Sequence, residues 1–174
     1  MSYKITAGLD ESELKPWLEK AFERYGLYEG KAVNYTLTGI APIVMCTVVC
    51  GKELLLVKRS MGLADANGYW STVNGFIDEI KPVKEIAHQE IKEELGLEVS
   101  PESIKVGGSY TLENPKEKRR YIVFPCLIAL QSKPHIILNR ENTEYAWITR
   151  RQLSTYKILD DLPYAIDEAL KLVQ

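Results

Sequence analysis

Three glutamates stand close together near the middle of the chain, at Glu90, Glu93 and Glu94. In a helix, spacings of three and four residues place their carboxylates on one face, where like charges repel by about 0.2 to 0.5 kcal/mol per pair. Mg²⁺ would relieve this repulsion, because it prefers oxygen ligands and bridges to substrate phosphates. The cluster therefore predicts a metal site for chemistry on a phosphorylated compound. A solvated acidic face is the alternative interpretation of the same residues.

These glutamates fall in the segment with the clearest helical pattern, residues 82–95. Its apolar residues recur along one face, as in a helix that packs against a core: Val83, Ala87, Ile91 and Leu95. Pro82 suits the first helical position, and Gly96 suits the position after the end. Glu90 and Glu94 border the apolar stripe, so the predicted helix holds them at the edge of the core.

The rest of the sequence alternates between strand and helix patterns. A helix is predicted over residues 10–25, where Asp10 and Glu13 have the spacing of a capping box. Strands are predicted over residues 41–49, 54–57, 70–73, 105–112, 121–129 and 145–148, followed by a closing helix over 162–173. The first two strands flank a Gly51-Lys52 turn and form a predicted hairpin. This order predicts an α/β protein with a mixed sheet covered by helices on both faces.

Composition limits the classes of function. The chain has 174 residues, 45% of them hydrophobic, which suits one main domain. Its formal charge of -2 predicts no stable complex with nucleic acid and no attraction to an anionic membrane. No signal-peptide pattern or apolar run of about 18 residues is present, which predicts a cytoplasmic location. The three cysteines lack zinc-site spacing, so we expect Cys46, Cys50 and Cys126 to be reduced core thiols.

The segment from Gly75 to Leu97 resembles the 23-residue Nudix box. Seven of its nine defining positions are met, by Gly75, Glu90, Ile91, Glu93, Glu94, Gly96 and Leu97. The similarity runs from about Pro42 to Leu153 and implies an α/β/α sandwich with a central mixed sheet. The expected organisation is a hydrolase domain over residues 36–174, preceded by an N-terminal helical extension over residues 1–35.

The resemblance also implies a reaction and a metal site. The expected activity is Mg²⁺-dependent hydrolysis of a diphosphate linkage in a small nucleoside diphosphate derivative, with Mn²⁺ as a possible substitute. Glu90 and Glu94 would bind the ion directly, Glu93 would act through a second ion or its water, and a carbonyl near Gly75 would complete the site. Glu144 is the predicted general base, with Glu141 as the second choice. The resemblance further makes a homodimer plausible.

Substrate contacts are predicted from cations and aromatic residues near the box. Arg59 ends a predicted strand, and Lys118, Arg119 and Arg120 precede another. The planar fork of arginine suits phosphate oxygens. Tyr69 and Trp70 are candidates for stacking on a base, although packing against the core is the alternative role for both.

Two residues depart from the box. Lys81 stands in place of its first glutamate, and Gln89 stands in place of the arginine that orients the acidic cluster. Loss of these supports predicts reduced, specialised or lost activity. A catalytically weak nucleotide-binding sensor is therefore the alternative function. An isomerase on the same fold, acting on isopentenyl diphosphate, is a third hypothesis; it requires a reactive cysteine paired with a glutamate in the pocket, whereas the cysteines here lie in apolar strand runs.

Overall fold

The computed structural model describes residues 4–27, 32–35, 37–62, 66–114 and 119–173. Its helices are α1 (Glu11–Tyr25), α2 (Val83–Leu95) and α3 (Leu162–Leu170). The strands are β1 (Lys4–Ala7), β2 (Gly26–Leu27), β3 (Ala32–Val33), β4 (Ile40–Cys50), β5 (Glu53–Arg59), β6 (Trp70–Ser71), β7 (Val73–Phe76), β8 (Lys105–Val106), β9 (Tyr110–Asn114), β10 (Arg119–Leu130) and β11 (Asn142–Thr149). Short 3-10 turns lie at Pro101–Ser103, Arg150–Thr155 and Lys171–Val173.

The main sheet is mixed, with a parallel pair at its centre. Its principal strand order is β1-β9-β10-β4-β5-β11, and β10 runs parallel to β4 over the whole length of β4. The β4–β5 hairpin pairs over only two positions, after which β4 pairs with β7 and β5 pairs with β6. The short strands β6 and β7 are therefore inserted where β4 and β5 diverge, and the single strand predicted over residues 70–73 is divided between them.

Helices cover both faces of this sheet. On one face, α2 buries Val83, Ile86, Ala87, Ile91 and Leu95 in the same hydrophobic cluster as α1. On the other face, α3 buries Leu162, Ala165 and Ile166 against a second cluster. In β10, Ile122 and Phe124 belong to the first cluster and Val123 to the second, as expected from the two-residue period of a strand. The predicted α/β/α sandwich is confirmed.

Several local predictions are confirmed, including the hairpin at Gly51 and the helix that carries the glutamates. Gly96 ends α2 with a φ of 66°, which is the left-handed conformation that glycine adopts without strain. Pro82 is the residue before α2 and has an extended ψ of 142°, so the prediction of Pro82 as the first helical residue was one position early. The three cysteines are free, with Cys46 and Cys126 buried and Cys50 partly buried.

The strand predicted over residues 105–112 is interrupted and forms β8 and β9. Gly107 donates its N–H to the carbonyl of Pro125 at 2.8 Å, but Pro125 has no N–H to return to the ladder. The antiparallel pairing with β10 therefore breaks at this point and resumes at Tyr110. The closing helix is shorter than predicted, because α3 ends at Leu170 and a 3-10 turn completes the segment.

The N-terminal residues pack on the body of the protein. The predicted capping box of α1 is present in part, since the Asp10 N–H donates to Glu13 Oε2 at 2.9 Å. Leu14, Leu18 and Ala21 of α1 are buried in the cluster under α2. Strand β1 was not predicted, and it adds to the main sheet by antiparallel pairing with β9. None of the described helices is long and apolar enough to cross a membrane.

Candidate active site

A cavity of about 440 Å³ opens where β4 to β7 meet α2. Its wall includes five acidic side chains and the cationic side chain of Arg59; the acids are Asp78, Glu90, Glu93, Glu141 and Asp161. The wall also includes mainly apolar side chains, those of Ile43, Met45, Phe76, Leu112, Tyr121 and Leu159. The volume lies within the range of roughly 300 to 1,000 Å³ that small-molecule sites occupy. Acidic and apolar groups are thus presented to a single ligand.

Glu90 lies directly against the backbone of β7. A Cβ atom added to Gly75 would lie 2.1 Å from the Glu90 Cδ atom, closer than any real non-bonded contact. The absence of a side chain at Gly75 is therefore what lets this carboxylate approach the strand. Only glycine leaves room for the Glu90 carboxylate at this position. The glycine of the box therefore has a steric explanation.

Glu94 is buried below the cavity wall, with 6% of its surface exposed. The Asn142 Nδ2 atom donates to Glu94 Oε2 at 2.7 Å, and the backbone N–H of Asn74 is a second donor. Asn142 begins β11 and is itself buried. Sequence reasoning missed the role of Asn142, although its position in the loop and strand after the box was a signal. These donors hold Glu94 in one orientation.

Burial and neighbouring carboxylates raise the pKa values of Glu90 and Glu94. Burial, followed by the charges of Glu94 and Glu93, raises the pKa of Glu90 to about 8. Burial also raises the pKa of Glu94 to about 7, with an opposing effect from Asn142 and a smaller opposing effect from Arg59. Without a cation, part of the cluster therefore binds protons near neutral pH.

This donor set fits a hard divalent cation that retains waters. Among the described residues, no three His, Cys, Asp or Glu side chains form a ready-made metal-binding group. Glu90 and Glu93 nevertheless line the cavity beside Gly75, and the raised pKa of Glu90 shows that its ionised form needs a counter-charge. Mg²⁺ suits such an open site, because it commonly takes one or two carboxylates and completes its coordination with water and substrate oxygens.

The structure brings four of the predicted site residues to the cavity wall: Gly75, Arg59, Glu90 and Glu93. Glu144 is not among the wall residues. Its side chain is about half exposed and pairs with Lys58 at 2.5 Å. Glu141, the second choice for the base, does line the cavity. Glu141 lies in the turn before β11, whereas Glu144 lies within the strand opposite Lys58.

The remaining predicted substrate residues lie outside this wall. Tyr69 lies under Lys157, with the ammonium 4.2 Å from the ring centroid. Trp70 packs edge-on against Tyr156 at 5.0 Å, which is the packing role considered for it. Arg119 and Arg120 begin β10 opposite β9 and also lie away from the cavity wall. Lys118 lies outside the described residues.

Two wall residues close to Gly75 were not predicted as part of the site. Asp78 follows the glycine of the box and lines the cavity, where burial raises its pKa. Phe76 exposes 43% of its surface and lines the same cavity while its ring stacks on Tyr35. Both residues follow Gly75 closely, so their position within the box was the available signal.

The two departures from the box contact each other. Lys81 Nζ donates to Gln89 Oε1 at 3.2 Å and also pairs with Glu79 Oε2 at 2.6 Å. The loop before α2 is therefore still fastened to the helix one residue before Glu90. The positively charged side chain, Lys81, lies in the loop, whereas the box pattern has its arginine on the helix at position 89.

The two buried cysteines, Cys46 of β4 and Cys126 of β10, lie in surroundings that disfavour a reactive thiol. Cys46 and Cys126 are buried and lie side by side across the parallel pair. The neighbouring Cys126, burial, and the charges of Glu90 and Glu94 all raise the pKa of Cys46, which disfavours its thiolate. This environment opposes the isomerase hypothesis.

Residues 40–169 match the family model of the NUDIX domain. The chain belongs to the Nudix family. A curated relative, the nucleoside triphosphatase NudI of Klebsiella pneumoniae (strain 342), is 20% identical over 122 residues, which cover 66% of this chain and 86% of the relative. Together with the family match, it identifies the chain as a Nudix-type pyrophosphohydrolase.

Two solved structures illustrate the shared fold. The MutT protein of Methanosarcina mazei Go1 superposes with a TM-score of 0.64 at 18% identity, covering 78% of this chain and 96% of that chain. The NUDIX domain of Shewanella oneidensis NrtR, solved in complex with ADP ribose, has a TM-score of 0.66 at 13% identity and covers 90% of this chain and 98% of that chain. At these identities the likeness concerns the fold.

Proposed function

We propose that this Nudix enzyme hydrolyses the diphosphate linkage of a nucleoside diphosphate derivative with the help of Mg²⁺ or Mn²⁺. The observation that carries the proposal is the placement of Glu90 against Gly75, beside Glu93 and Arg59, on the wall of one cavity. The acids and the arginine would serve the charged diphosphate. The apolar wall around Phe76 would receive the less polar part of the substrate.

Glu90, Glu94 and a carbonyl near Gly75 would hold the ion, and Glu93 would act through a second ion or its water. When bound, the ion polarises the phosphoryl group and lowers the pKa of the attacking water. Arg59 is expected to bind phosphate oxygens through its guanidinium group, which matches their geometry. Positioning and charge stabilisation of this kind account for most of the catalysis in phosphoryl-type transfers.

We assign the general base to Glu141 in preference to Glu144. Glu141 lines the cavity, and its charge contributes to the raised pKa values of Glu90 and Glu94. Glu144 is instead paired with Lys58 near the surface. A general base must lie within hydrogen-bond reach of the proton that it accepts, directly or through one water. Glu141→Gln should therefore lower kcat at least a hundredfold, whereas Glu144→Gln should keep kcat within about threefold. The reverse ranking would return the role to Glu144.

Relatives and structural neighbours define the first substrates to test. They include a nucleoside triphosphatase, an Ap4A hydrolase of C. elegans and the domain bound to ADP ribose. The ADP-ribose-bound domain covers more of this chain than the Ap4A hydrolase does, at 90% against 76%. We therefore place ADP ribose first in the panel, followed by Ap4A and nucleoside triphosphates.

The test is product chromatography with the purified protein and this panel, with Mg²⁺, with Mn²⁺ and with a chelator. Turnover should require the metal and should be lost in a Glu90→Gln, Glu93→Gln variant. Glu85→Gln is the matched control, because Glu85 lies on the exposed side of the same helix. Metal-independent turnover, or turnover that survives in the double variant, would contradict the proposed site.

A nucleotide-binding sensor is the second candidate function. It is favoured by Lys81 and Gln89, which stand in place of the first glutamate and the arginine of the box and share one hydrogen bond at 3.2 Å. Binding of ADP ribose without turnover of any panel compound would support this alternative. A cytoplasmic location and a homodimer stay predictions.

A further inference from the structure

Helix α2 starts without a capping side chain of its own. Pro82 occupies the N-cap position and makes no side-chain hydrogen bond there, although the first N–H groups of a helix need acceptors. Glu11, at the start of α1, supplies one acceptor. Its Oε1 atom accepts the Val83 N–H at 2.9 Å, across 72 positions of sequence. One end of α1 therefore caps the helix that carries the catalytic glutamates.

A second contact joins the N-terminal residues to the loop between Gly75 and α2. The Tyr35 hydroxyl donates to the carbonyl of Ile77, and both residues are buried. Burial, with a smaller effect from Asp78, raises the pKa of Tyr35, so the hydroxyl keeps its proton and remains a donor at neutral pH. Ile77 stands directly before Asp78, which lines the cavity.

An aromatic stack forms a third contact. Trp17 of α1 stacks on Tyr35 with ring centroids 6.3 Å apart, and Tyr35 stacks on Phe76 at 5.4 Å. Phe76 is part of the cavity wall. The stack therefore runs from α1 to the surface that would contact the substrate.

Packing alone does not fasten the rest of this loop to α1. A second cavity, of about 340 Å³, separates α1 from the loop and is lined on the loop side by Ile80, Lys81 and Pro82. The Glu11 hydrogen bond crosses from α1 to α2 beside this cavity, and the Tyr35 hydrogen bond links the N-terminal residues to the same loop at Ile77. Because a helix moves as a rigid unit, displacement of Val83 would also displace Glu90 relative to Gly75.

We propose that the N-terminal residues position the loop from Phe76 to Pro82 and the start of α2 for catalysis, with Glu11 and Tyr35 as the positioning residues. These residues precede the NUDIX match, which begins at residue 40. The proposed role rests on the proposed function for its effect on turnover. Its effect on the order of the loop can be measured independently.

Three variants test the proposal: Glu11→Ala, Glu11→Gln and Tyr35→Phe. Glutamine keeps an oxygen acceptor for the Val83 N–H, and phenylalanine keeps the stacked ring while removing the donor. Glu19→Ala is the matched control on α1, because Glu19 is exposed and its ion pair with Lys15 is 4.0 Å long. Mn²⁺ affinity, kcat, KM and amide hydrogen exchange over residues 76–83 are measured well below the unfolding temperature of every variant.

Glu11→Ala and Tyr35→Phe should speed exchange in this loop, weaken Mn²⁺ binding and lower kcat by about tenfold or more, as expected for groups that support metal ligands. KM should change less than kcat. Glu11→Gln should recover most of the wild-type values, and Glu19→Ala should match the wild type. A lower unfolding temperature with unchanged exchange, Mn²⁺ affinity and kcat would overturn the proposal. If the wild type neither binds Mn²⁺ nor turns over substrate, the proposed function fails, and unchanged loop exchange in the variants would refute the positioning role separately.

Discussion

Replacing Glu90 with glutamine should stabilise the metal-free protein at pH 8 and remove the stabilisation that a divalent cation provides. Burial and neighbouring carboxylates raise the pKa of Glu90 to about 8 from an ordinary value of 4.5. Glutamine has almost the same shape but carries no charge, so it fits the space beside Gly75 without repelling Glu93 and Glu94. The substitution therefore separates the energetic effect of the charge from that of packing.

The direction of the pH dependence follows from the raised pKa. Below pH 4.5 the carboxyl is protonated in both the folded and the unfolded protein, and its ionisation has no effect on the free energy of unfolding. Between pH 4.5 and about 8 the unfolded state loses its proton first, so the free energy of unfolding falls as the pH rises. At about 1.36 kcal/mol per pH unit, full ionisation destabilises the folded state by up to about 5 kcal/mol.

The assay is thermal unfolding of the wild type and Glu90→Gln at pH 4 and pH 8, with a chelator or with excess Mg²⁺. A chain of this size gains roughly 2 to 4 °C in Tm per kcal/mol, so the metal-free Tm of the variant should exceed that of the wild type by roughly 10 °C at pH 8. At pH 4 the two values should agree within about 2 °C. Mg²⁺ should raise the Tm of the wild type at pH 8 and leave that of the variant nearly unchanged.

Glu85→Gln on the exposed side of α2 is the control, and its Tm should follow that of the wild type in every condition. An equal gain for Glu90→Gln at both pH values would show that charge repulsion is not its cause. A metal-free variant no more stable than the wild type at pH 8 would refute the reasoning about desolvation. Retained stabilisation by Mg²⁺ in the variant would remove Glu90 from the metal site.

Two further substitutions test how the cluster is positioned. In Gly75→Ala the new Cβ would lie 2.1 Å from the Glu90 carboxyl carbon. This contact would displace the carboxylate, so kcat should fall about a hundredfold and Mn²⁺ should bind more weakly. A kcat within about twofold of the wild-type value would contradict the steric argument. Lys81→Glu adds a carboxylate beside Glu79, and Gln89→Arg places a second cation beside Lys81, so each should lower kcat/KM. The double variant pairs a carboxylate with a guanidinium and should recover most of the loss. Steady-state kinetics of all four proteins form a double-mutant cycle, in which purely multiplicative losses would show that the two residues act independently.

Local patterns in the sequence were sufficient for much of the fold. The helical period of Val83, Ala87 and Ile91 correctly predicted the buried face of α2, and Gly96 correctly marked its end. The β4–β5 hairpin was predicted from two apolar runs around a short turn. These predictions succeeded because each depends on residues within one or two turns of chain. Strand β1 was missed because its four residues are exposed and its pairing partner, β9, lies about a hundred positions later.

The site was only partly predictable, because some of its contacts join residues that are far apart in the sequence. The spacing of Glu90, Glu93 and Glu94 determined that they share a helix face, and the box placed Gly75 in the same motif. Glu141 lies in the turn before β11, whereas Glu144 lies within the strand and pairs with Lys58. Neither position follows from local spacing, so only the tertiary structure decided that Glu141 lines the cavity.

The sequence by itself determined the family and the acidic helix and predicted the type of ion, because these follow from residue type and local spacing. The tertiary structure decided which groups meet across long separations, such as Glu11 with Val83 and Asn142 with Glu94. It also decided the pKa values, since desolvation depends on how completely the whole fold surrounds a carboxylate. The chemical character of the site is therefore local information, whereas its support and its electrostatics arise from packing between distant parts of the chain.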